Sequence, residues 1–249
     1  MDEQTPSPGE EAIAALQVEL AAVRAEMQEF AGTVSHDLRA PLRHILSYAQ
    51  LVQEDAGPQL DAEVQGFLTT IVDSARHMGG LLDGLSQLAR VGAQPIHLEP
   101  VALQDLVQEL CDRLSSQHPG RDLRWDIASD LPVVRSDAQL LRQALEQVLD
   151  NAVKFTAPRA PAVIRVNVVP EGVSGRVTLQ IQDNGVGYNP ALQGKLFKVF
   201  GRLHSAQQFA GVGMGLALAR KLLQRVGGHV AIEGAVDAGC TVRLDLPQG

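Results

Sequence analysis

SHDLRAPL, residues 35–42, lies inside a long helical pattern and places a histidine beside a carboxylate on it. Before this stretch the apolar residues recur in alternating steps of three and four, at Ile13, Leu16, Leu20, Val23, Met27, Phe30 and Val34. Such a heptad seam predicts a coiled coil. The stripe then steps by four to Leu38 and Leu42 and by three to Ile45, a stutter that locally unwinds a supercoil.

A second helical pattern follows the first after a short break. The first helix is predicted to end near Asp55, before Gly57-Pro58, and apolar residues at helical spacing resume from Val64 to Leu88. Two long helices joined by a short turn predict an antiparallel hairpin. One hairpin carries more apolar stripe than it can cover, so two copies are expected to pair into a four-helix bundle, as a homodimer.

Composition divides the chain into a disordered tail at 1–9, a coiled coil and helical hairpin at 10–93, and a mixed α/β domain at 94–249. The boundary is the helix-breaking segment Gly92-Ala93-Gln94-Pro95. In the second domain the periodicity predicts helices at Val101–Gln117, Asp137–Phe155 and Leu216–Val226, and strands at Leu123–Ile127, Val163–Val169, Arg176–Asp183, Val230–Glu233 and Thr241–Leu246.

Charge and composition exclude several classes of protein. The net charge of −8 argues against a nucleic-acid binder, which needs a basic surface. No run approaches 18 apolar residues, so no membrane span is expected. Cys111 and Cys240 are isolated among apolar neighbours and are expected to be buried free thiols, which fits a cytoplasmic protein.

The histidine of the opening stretch is expected to face solvent. His36 follows the seam residue Val34 by two positions, which is a rotation of about 200° around a helix. Asp37 can hold one imidazole nitrogen and leave the other free as a nucleophile. Pro41 removes one backbone hydrogen bond and is expected to kink the helix one turn further on. Taken by itself, an exposed His-Asp pair on a helix is typical of a solvated surface.

Polar residues of the second domain are suited to a nucleotide. Asn151 and Lys154 share one face of a helix, where an amide can ligate Mg²⁺ and an ammonium can bind phosphate. Asp183 ends a strand and can accept a hydrogen bond from an exocyclic amine. The alternatives are surface polar residues for the helix and a β-turn for Asp183-Asn184-Gly185.

Glycines follow these polar residues in two groups. Gly185 and Gly187 let a backbone approach a flat ring. Gly211, Gly213 and Gly215 precede a helix, where bare N–H groups can bind phosphate, although the same pattern suits a flexible hinge. The pattern is not a Walker loop, since no Gly-Lys-[Ser/Thr] follows.

The ordered set of motifs resembles the sensor histidine kinases of bacterial two-component systems, over about residues 10–249. The corresponding segments are an H box at Phe30–Leu42, an N box at Leu149–Phe155, a first glycine box at Asp183–Gly187, an F box at Leu196–Phe200 and a second glycine box at Gly211–Leu216. The sequence from Phe200 to Ser205 resembles that of the bacteriophytochrome-like branch of this family. The resemblance covers the transmitter region of such proteins.

The resemblance implies a fold of class α plus α/β, in which a dimeric bundle of helical hairpins precedes a Bergerat-type α/β sandwich that binds ATP. It implies that His36 accepts the γ-phosphoryl group with Asp37 as base, and that Mg²⁺ is held by Asn151, with Gln147 as a second candidate. The implied cofactor-binding residues are Asn151, Lys154, Asp183, Gly185, Gly187, Gly211, Gly213, Gly215, Leu216 and Thr241.

Among these, the resemblance gives Lys154 the phosphates and Asp183 the adenine amine. A mobile lid would extend from about Tyr188 to Ala210, anchored by Phe197 and Phe200. The implied partners are a second copy of the chain, the receiver domain of a response regulator, and a sensory domain or upstream sensory protein.

Three positions depart from the family pattern. Gln147 stands where many members have asparagine, and Asp237 stands where the last glycine motif, reduced here to Gly239-Cys240-Thr241, often has glycine. Ala40 stands four residues after the histidine, where members with phosphatase activity commonly have threonine or asparagine, which predicts a net kinase. Two alternatives remain: a degenerate kinase that docks a regulator as a scaffold, and a non-kinase ATPase of the same superfamily.

Overall fold

The structure is a computed structural model, and it describes residues 8–169, 175–205 and 208–249. Residues 1–7 of the predicted tail lie outside the described residues, whereas Pro8 and Gly9 already belong to the first helix. The helix can begin at Pro8 because proline is tolerated in the first turn, where its missing N–H has no intrahelical partner. The chain divides into two compact units, 1–94 and 95–249.

The first unit is an antiparallel helical hairpin. Helix α1 spans Pro8–Asp55 and helix α2 spans Ala62–Ala93, joined through a 3₁₀ turn at Gly57–Gln59. Asp61 caps α2 by accepting a hydrogen bond from the N–H of Val64 at 2.9 Å. The two helices pack through a small cluster formed by Leu42, Leu46, Ala75 and Leu82.

The apolar stripe of α1 divides into two faces. Leu42 is buried against α2, but Leu38 and Ile45, which the heptad reading places on the same stripe, are 44% and 47% exposed. The stutter rotates the stripe at this point, so that only part of it can meet a single partner helix. Within this single chain, large apolar side chains toward the start of α1 are also exposed: Ile13, Leu16, Leu20, Val23, Met27 and Phe30.

The second unit is a two-layer α/β fold. Its strands are β1 Glu99–Ala102, β2 Leu123–Ile127, β3 Val133–Ser136, β4 Ala162–Val169, β5 Arg176–Asp183, β6 His229–Gly234 and β7 Cys240–Pro247. The five-stranded sheet has the order β2-β4-β5-β7-β6, in which β2 and β4 are parallel and the other pairs antiparallel. The helices are α3 Leu103–Gln117, α4 Ala138–Phe155 and α5 Gly215–Arg225, with a 3₁₀ turn at Pro190–Lys195.

Strict alternation along β5 places its apolar residues on one face of the sheet. In β5 the residues Val177, Leu179 and Ile181 are buried, whereas Thr178 and Gln180 between them are partly exposed. The buried face packs against the apolar faces of the helices, where the largest fully buried side chains include Leu110, Leu141, Leu145, Leu149 and Leu222. The structure therefore has the hairpin and the α/β sandwich that the sequence predicts.

Two short strands were not predicted. The helix expected from Val101 begins at Leu103, because Glu99–Ala102 pairs with Val133–Ser136 as an antiparallel ladder. Within the described residues, no helix combines the length and the apolarity that a membrane span requires. Both thiols are free, Cys111 is buried and Cys240 is half-buried, and burial raises the pKa of each to about 12.

Candidate functional site

The imidazole of His36 projects from α1 into solvent. Its side chain is 84% exposed and that of Asp37 is 70% exposed, while the preceding Ser35 is buried against the hairpin. The Nδ1 atom of His36 lies 3.1 Å from Oδ1 of Asp37. A proton on Nδ1 can be donated to that carboxylate, which leaves the lone pair of Nε2 free as a nucleophile.

The two amides proposed for the metal lie beside the start of α5. Gln147 and Asn151 are one turn apart on α4, and both reach Gly215. A Cβ atom at position 215 would lie 3.0 Å from Oε1 of Gln147 and 3.2 Å from Nδ2 of Asn151. Glycine at this position therefore lets α5 approach both amides closely.

The first turn of α5 is suited to an anion. Met214 precedes the helix and makes no side-chain hydrogen bond to it, so the first-turn N–H groups receive no side-chain cap from that residue. Gly213 has a φ of +76°, and a Cβ there would lie 2.6 Å from the carbonyl oxygen of Gly201. Leu216 is half-buried in the same turn. The arrangement is one that binds phosphate oxygens at a helix N-terminus.

Lys154 lies at the end of α4 and faces the same glycine segment. Its Nζ atom is 4.6 Å from the centroid of the Phe155 ring. A Cβ atom at position 211 would lie 3.6 Å from the same Nζ atom. Burial lowers the pKa of Lys154, the Arg202 cation lowers it further, and Asp150 opposes both. A partly desolvated ammonium beside a glycine loop is a strong site for phosphate oxygens, because anion binding restores the interaction that burial removed.

Asp183 is a buried carboxyl group at the end of β5. Its Oδ1 accepts hydrogen bonds from the N–H of Gly185 at 2.8 Å and of Cys240 at 3.3 Å. Burial raises the pKa of Asp183, and these two N–H groups partly oppose the rise. Position 185 requires glycine, since a Cβ would lie 2.7 Å from both Oδ1 of Asp183 and the carbonyl oxygen of Phe155.

The remaining predicted residues border Asp183. Gly187 has a φ of +61°, and any side chain there would collide with the carbonyl of Ala235. Thr241 is half-buried in β7 and pairs with Gln182, the residue before Asp183. The nucleotide residues predicted from the sequence therefore fall into two groups, one around Asp183 and one around Lys154 and the start of α5.

The lid contains residues that the sequence reading did not select. Arg202 donates one hydrogen bond to the carbonyl of Phe209 at 2.8 Å and another to the carbonyl of Gly211. The His204 ring contacts the rings of Phe155 and Phe209 at interplanar angles of 44° and 65°, with centroids 5.4 and 5.3 Å away, and its Nε2 lies 2.9 Å from the carbonyl oxygen of Gly187. The lid has no apolar periodicity, so no sequence signal identifies these contacts.

Phe200 does not anchor the lid, contrary to the sequence expectation. Its ring is 43% exposed and its backbone has a φ of +63°, which turns the chain there. Phe209 is instead buried, and its ring lies 5.0 Å from the Phe155 ring. Phe197 is half-buried and lies against Arg220, whose guanidinium is 5.2 Å from its ring.

Two family descriptions match the chain in the order of its two units. Residues 26–94 match the "His Kinase A (phospho-acceptor) domain", and residues 136–249 match the "Histidine kinase-, DNA gyrase B-, and HSP90-like ATPase". His36 lies in the first match, and every nucleotide residue considered above lies in the second.

The curated relatives that the chain matches are longer than the chain itself. The chain is 28% identical over 239 residues to cyanobacterial phytochrome A of Nostoc sp., covering 95% of this chain and 30% of that protein. It is 30% identical over 235 residues to the circadian input-output histidine kinase CikA of Synechococcus elongatus, and the match covers 91% of this chain and 31% of CikA. The chain thus spans about a third of the length of these relatives.

Solved structures share the fold of this chain. Full-length ShkA in complex with AMPPNP matches with a TM-score of 0.61 at 28% identity, over 88% of this chain and 45% of that one. The Acinetobacter baumannii histidine kinase AdeS matches with a TM-score of 0.58 at 20% identity, over 86% and 98%, which supports the fold.

Proposed function

The chain belongs to the sensor histidine kinases, since it joins their phospho-acceptor domain to their ATPase domain, and on this premise we propose that it autophosphorylates His36 from ATP. The phosphoryl group then passes to an aspartate in the receiver domain of a response regulator. The observation that carries the proposal is the exposed imidazole of His36, held at Nδ1 by Asp37 with Nε2 left free.

The residues of the second unit fit the nucleotide in two parts. The buried carboxylate of Asp183 would accept a hydrogen bond from the adenine amine, with Gly185 and Gly187 allowing the ring to approach. Lys154 and the first turn of α5 would hold the phosphates. Asn151, with Gln147 beside it, offers amide oxygens to Mg²⁺, which neutralises phosphate charge in such reactions when it is bound.

The chemical step requires little covalent work from the protein. The Nε2 lone pair attacks the γ-phosphorus in line, at about 3–3.5 Å, while the bond to the bridging oxygen of ADP breaks and ADP leaves with the electron pair. The Nδ1 proton is held by the Asp37 carboxylate, so positive charge on the phosphorylated ring is stabilised or removed. Because ATP is the donor, the proposed reaction belongs in the cytoplasm.

Labelled ATP with Mg²⁺ tests the proposal directly. A kinase gives acid-labile, base-stable label on the protein that disappears in His36→Gln and persists in His44→Gln, an exposed histidine on the same helix. Phosphate release without protein label would instead support the ATPase alternative, and indifference to nucleotide would support the scaffold. Either result contradicts the proposal.

Ala40 bears on the balance between the kinase and phosphatase activities. This residue is exposed one turn after His36 and has no polar group to orient a water toward a phosphorylated regulator. We propose a net kinase with weak phosphatase activity, in which Ala40→Thr gains regulator dephosphorylation. Comparable Mg²⁺-dependent dephosphorylation by the parent and by Ala40→Thr would contradict this.

Partners follow from the same proposal. The exposed apolar residues of α1 are proposed to pair with a second copy of the chain, and the receiver domain of a regulator is proposed to dock on the hairpin. Input is proposed to reach α1 from a sensory domain or an upstream sensory protein.

A further inference from the structure

Arg159 joins the two loops that border Asp183. Its Nε atom donates to the carbonyl of Asn184 at 3.0 Å, and its Nη2 atom lies 3.2 Å from the carbonyl oxygen of Gly185. The same Nη2 lies 3.3 Å from the carbonyl oxygen of Asp237 and 3.1 Å from its Oδ1. One guanidinium therefore contacts the loop after β5 and the loop between β6 and β7.

The two loops also bond to each other at the carboxyl group. The N–H of Asp237 donates to the carbonyl of Val186 at 2.8 Å, and the N–H of Cys240 donates to Oδ1 of Asp183. Gly239 lies so close that any side chain there would collide with the carbonyl of Asp183. Movement of the β6–β7 loop would therefore move a hydrogen-bond donor of the Asp183 carboxyl group.

Asp237 occupies a position where the backbone favours glycine. Its φ is +60°, in the left-handed region that aspartate and asparagine tolerate better than other side chains. Its carboxylate is 77% exposed, yet it is directed to Arg159, whose side chain is only 32% exposed. The aspartate that departs from the family's glycine pattern is thus tied to this arginine.

We propose that Arg159 is a positioning residue that sets the selectivity of the site for adenine, by fixing the two loops that orient the Asp183 carboxyl group. This inference rests on the proposed function, in which Asp183 binds the adenine amine. The Arg159 guanidinium donates to the backbone carbonyl groups of residues 184, 185 and 237 and to the carboxylate of Asp237. Its loss should therefore weaken recognition of the amine specifically and leave phosphate binding unchanged.

Binding of ADP and IDP to the full chain tests this inference without turnover. The base of IDP carries a carbonyl oxygen where adenine carries the amine, so the ratio of the two dissociation constants reports the Asp183 contact. Arg159→Met should weaken ADP binding about tenfold and change IDP binding less than about twofold. Arg124→Met is the matched control, because Arg124 forms an exposed ion pair with Asp122.

Equal weakening of ADP and IDP in Arg159→Met would overturn the inference and leave Arg159 as a general support of the fold. A parent protein that does not distinguish ADP from IDP would instead overturn the adenine assignment of Asp183 in the proposed function. If Arg159→Met does not fold, the same ADP and IDP measurements on Asp237→Asn test the inference. Asparagine tolerates the left-handed backbone conformation of position 237. A two- to threefold fall in the ADP preference, on the order of one weakened hydrogen bond, supports the inference, and an unchanged preference overturns it.

Discussion

At the scale of single residues, the contact between His36 and Asp37 makes a kinetic prediction. Asn in place of Asp37 can still accept a hydrogen bond from Nδ1 but cannot take up its proton. Asp37→Asn should lower the rate constant of autophosphorylation by about 100-fold. ATP affinity should not change, because the residues proposed to bind the nucleotide belong to the other unit.

Single-turnover labelling at saturating ATP separates the two quantities. Asp73→Asn is the matched control, since Asp73 is an exposed carboxylate on α2 paired with Arg76 at 3.7 Å. A full autophosphorylation rate in Asp37→Asn would show that Asp37 has no part in proton transfer.

The lowered pKa of Lys154 should set the pH above which ATP affinity falls. Burial, reinforced by Arg202, lowers its pKa below the ordinary 10.5. The phosphates need the protonated form, so ATP affinity should fall as the pH rises through the lowered pKa, before it reaches 10.5. By linkage, the unfolded state binds more protons in this window, so stability itself should rise with pH there.

The dissociation constant of ATP measured from pH 7 upward tests this limit. Lys154→Arg keeps its charge throughout this range and should remove the alkaline loss of affinity. An identical pH profile in Lys154→Arg would mean that another group titrates.

The sequence could predict some residues of the site better than others. His36 and Asp183 lie on regular elements, where the spacing of apolar neighbours fixes the direction of a side chain. Arg202, His204 and Phe209 lie in a segment without regular structure, and their contacts depend on how the chain turns at positions such as Phe200. Arg159 was missed for the same reason, because its acceptors lie in two separate loops.

At the scale of elements, the aromatic cluster of Phe155, His204 and Phe209 predicts how the lid is ordered. The cluster joins His204 and Phe209, near the end of the lid, to the end of α4 beside Lys154. Phe209→Ala should release this part of the lid and raise the KM for ATP about tenfold through lost preorganisation. Proteolysis within 196–214 should become faster in the same variant.

Leu98→Ala serves as the control for this variant, because Leu98 is an apolar side chain of the same unit that is already 48% exposed. Unchanged proteolysis and an unchanged KM in Phe209→Ala would show that the cluster does not order the lid.

Replacement of Pro41 by alanine should stabilise the hairpin. It is exposed in the interior of α1 and cannot donate a hydrogen bond to the carbonyl of Asp37, four residues earlier. Pro41→Ala should raise the free energy of unfolding of the hairpin by up to about 3 kcal/mol. Gly66→Ala, an exposed helix position with open space around it, should add only about 1 kcal/mol.

Urea unfolding followed by circular dichroism measures both variants. A smaller gain for Pro41→Ala than for Gly66→Ala would mean that α1 accommodates the proline without loss, and Pro41 would then be no source of a kink.

The short ladder of β1 and β3 shows why some elements escape sequence analysis. Each strand has four residues, and the first reads Glu99-Pro100-Val101-Ala102, whose alternation is too brief to separate from a helix start. The strand forms because Val101 and Val134 are brought together across the ladder, both buried, by residues distant in sequence. The short ladder thus depends on a partner segment that is distant in sequence. Helix α4, which begins after the Asp137 cap, can be predicted from the local spacing of its apolar residues.

At the scale of the whole molecule, the change from heptad spacing to mixed α/β spacing marks two units, and the structure divides after Gln94. The sequence could predict this division because each unit has its own periodicity and a helix-breaking segment separates them. Pairing between copies cannot be read from one chain in the same way, because the partner surface of α1 is seen only as exposed side chains. That surface therefore makes the last prediction.

The early seam of α1 should hold two copies together. Six apolar side chains at heptad spacing, from Ile13 to Phe30, are between 49% and 67% exposed in the single chain. Burial of such side chains favours association by about 25 cal/mol for each Å² removed from water. Val23→Glu should therefore shift the chain from dimer toward monomer in sedimentation at micromolar concentration, because a charge would enter the seam. Val18→Glu is the matched control, since Val18 lies off the seam and is 71% exposed. An equal effect of both substitutions, or a monomeric parent, would contradict pairing through this seam, whereas a selective effect of Val23→Glu would assign the exposed face of α1 to a second copy of the chain.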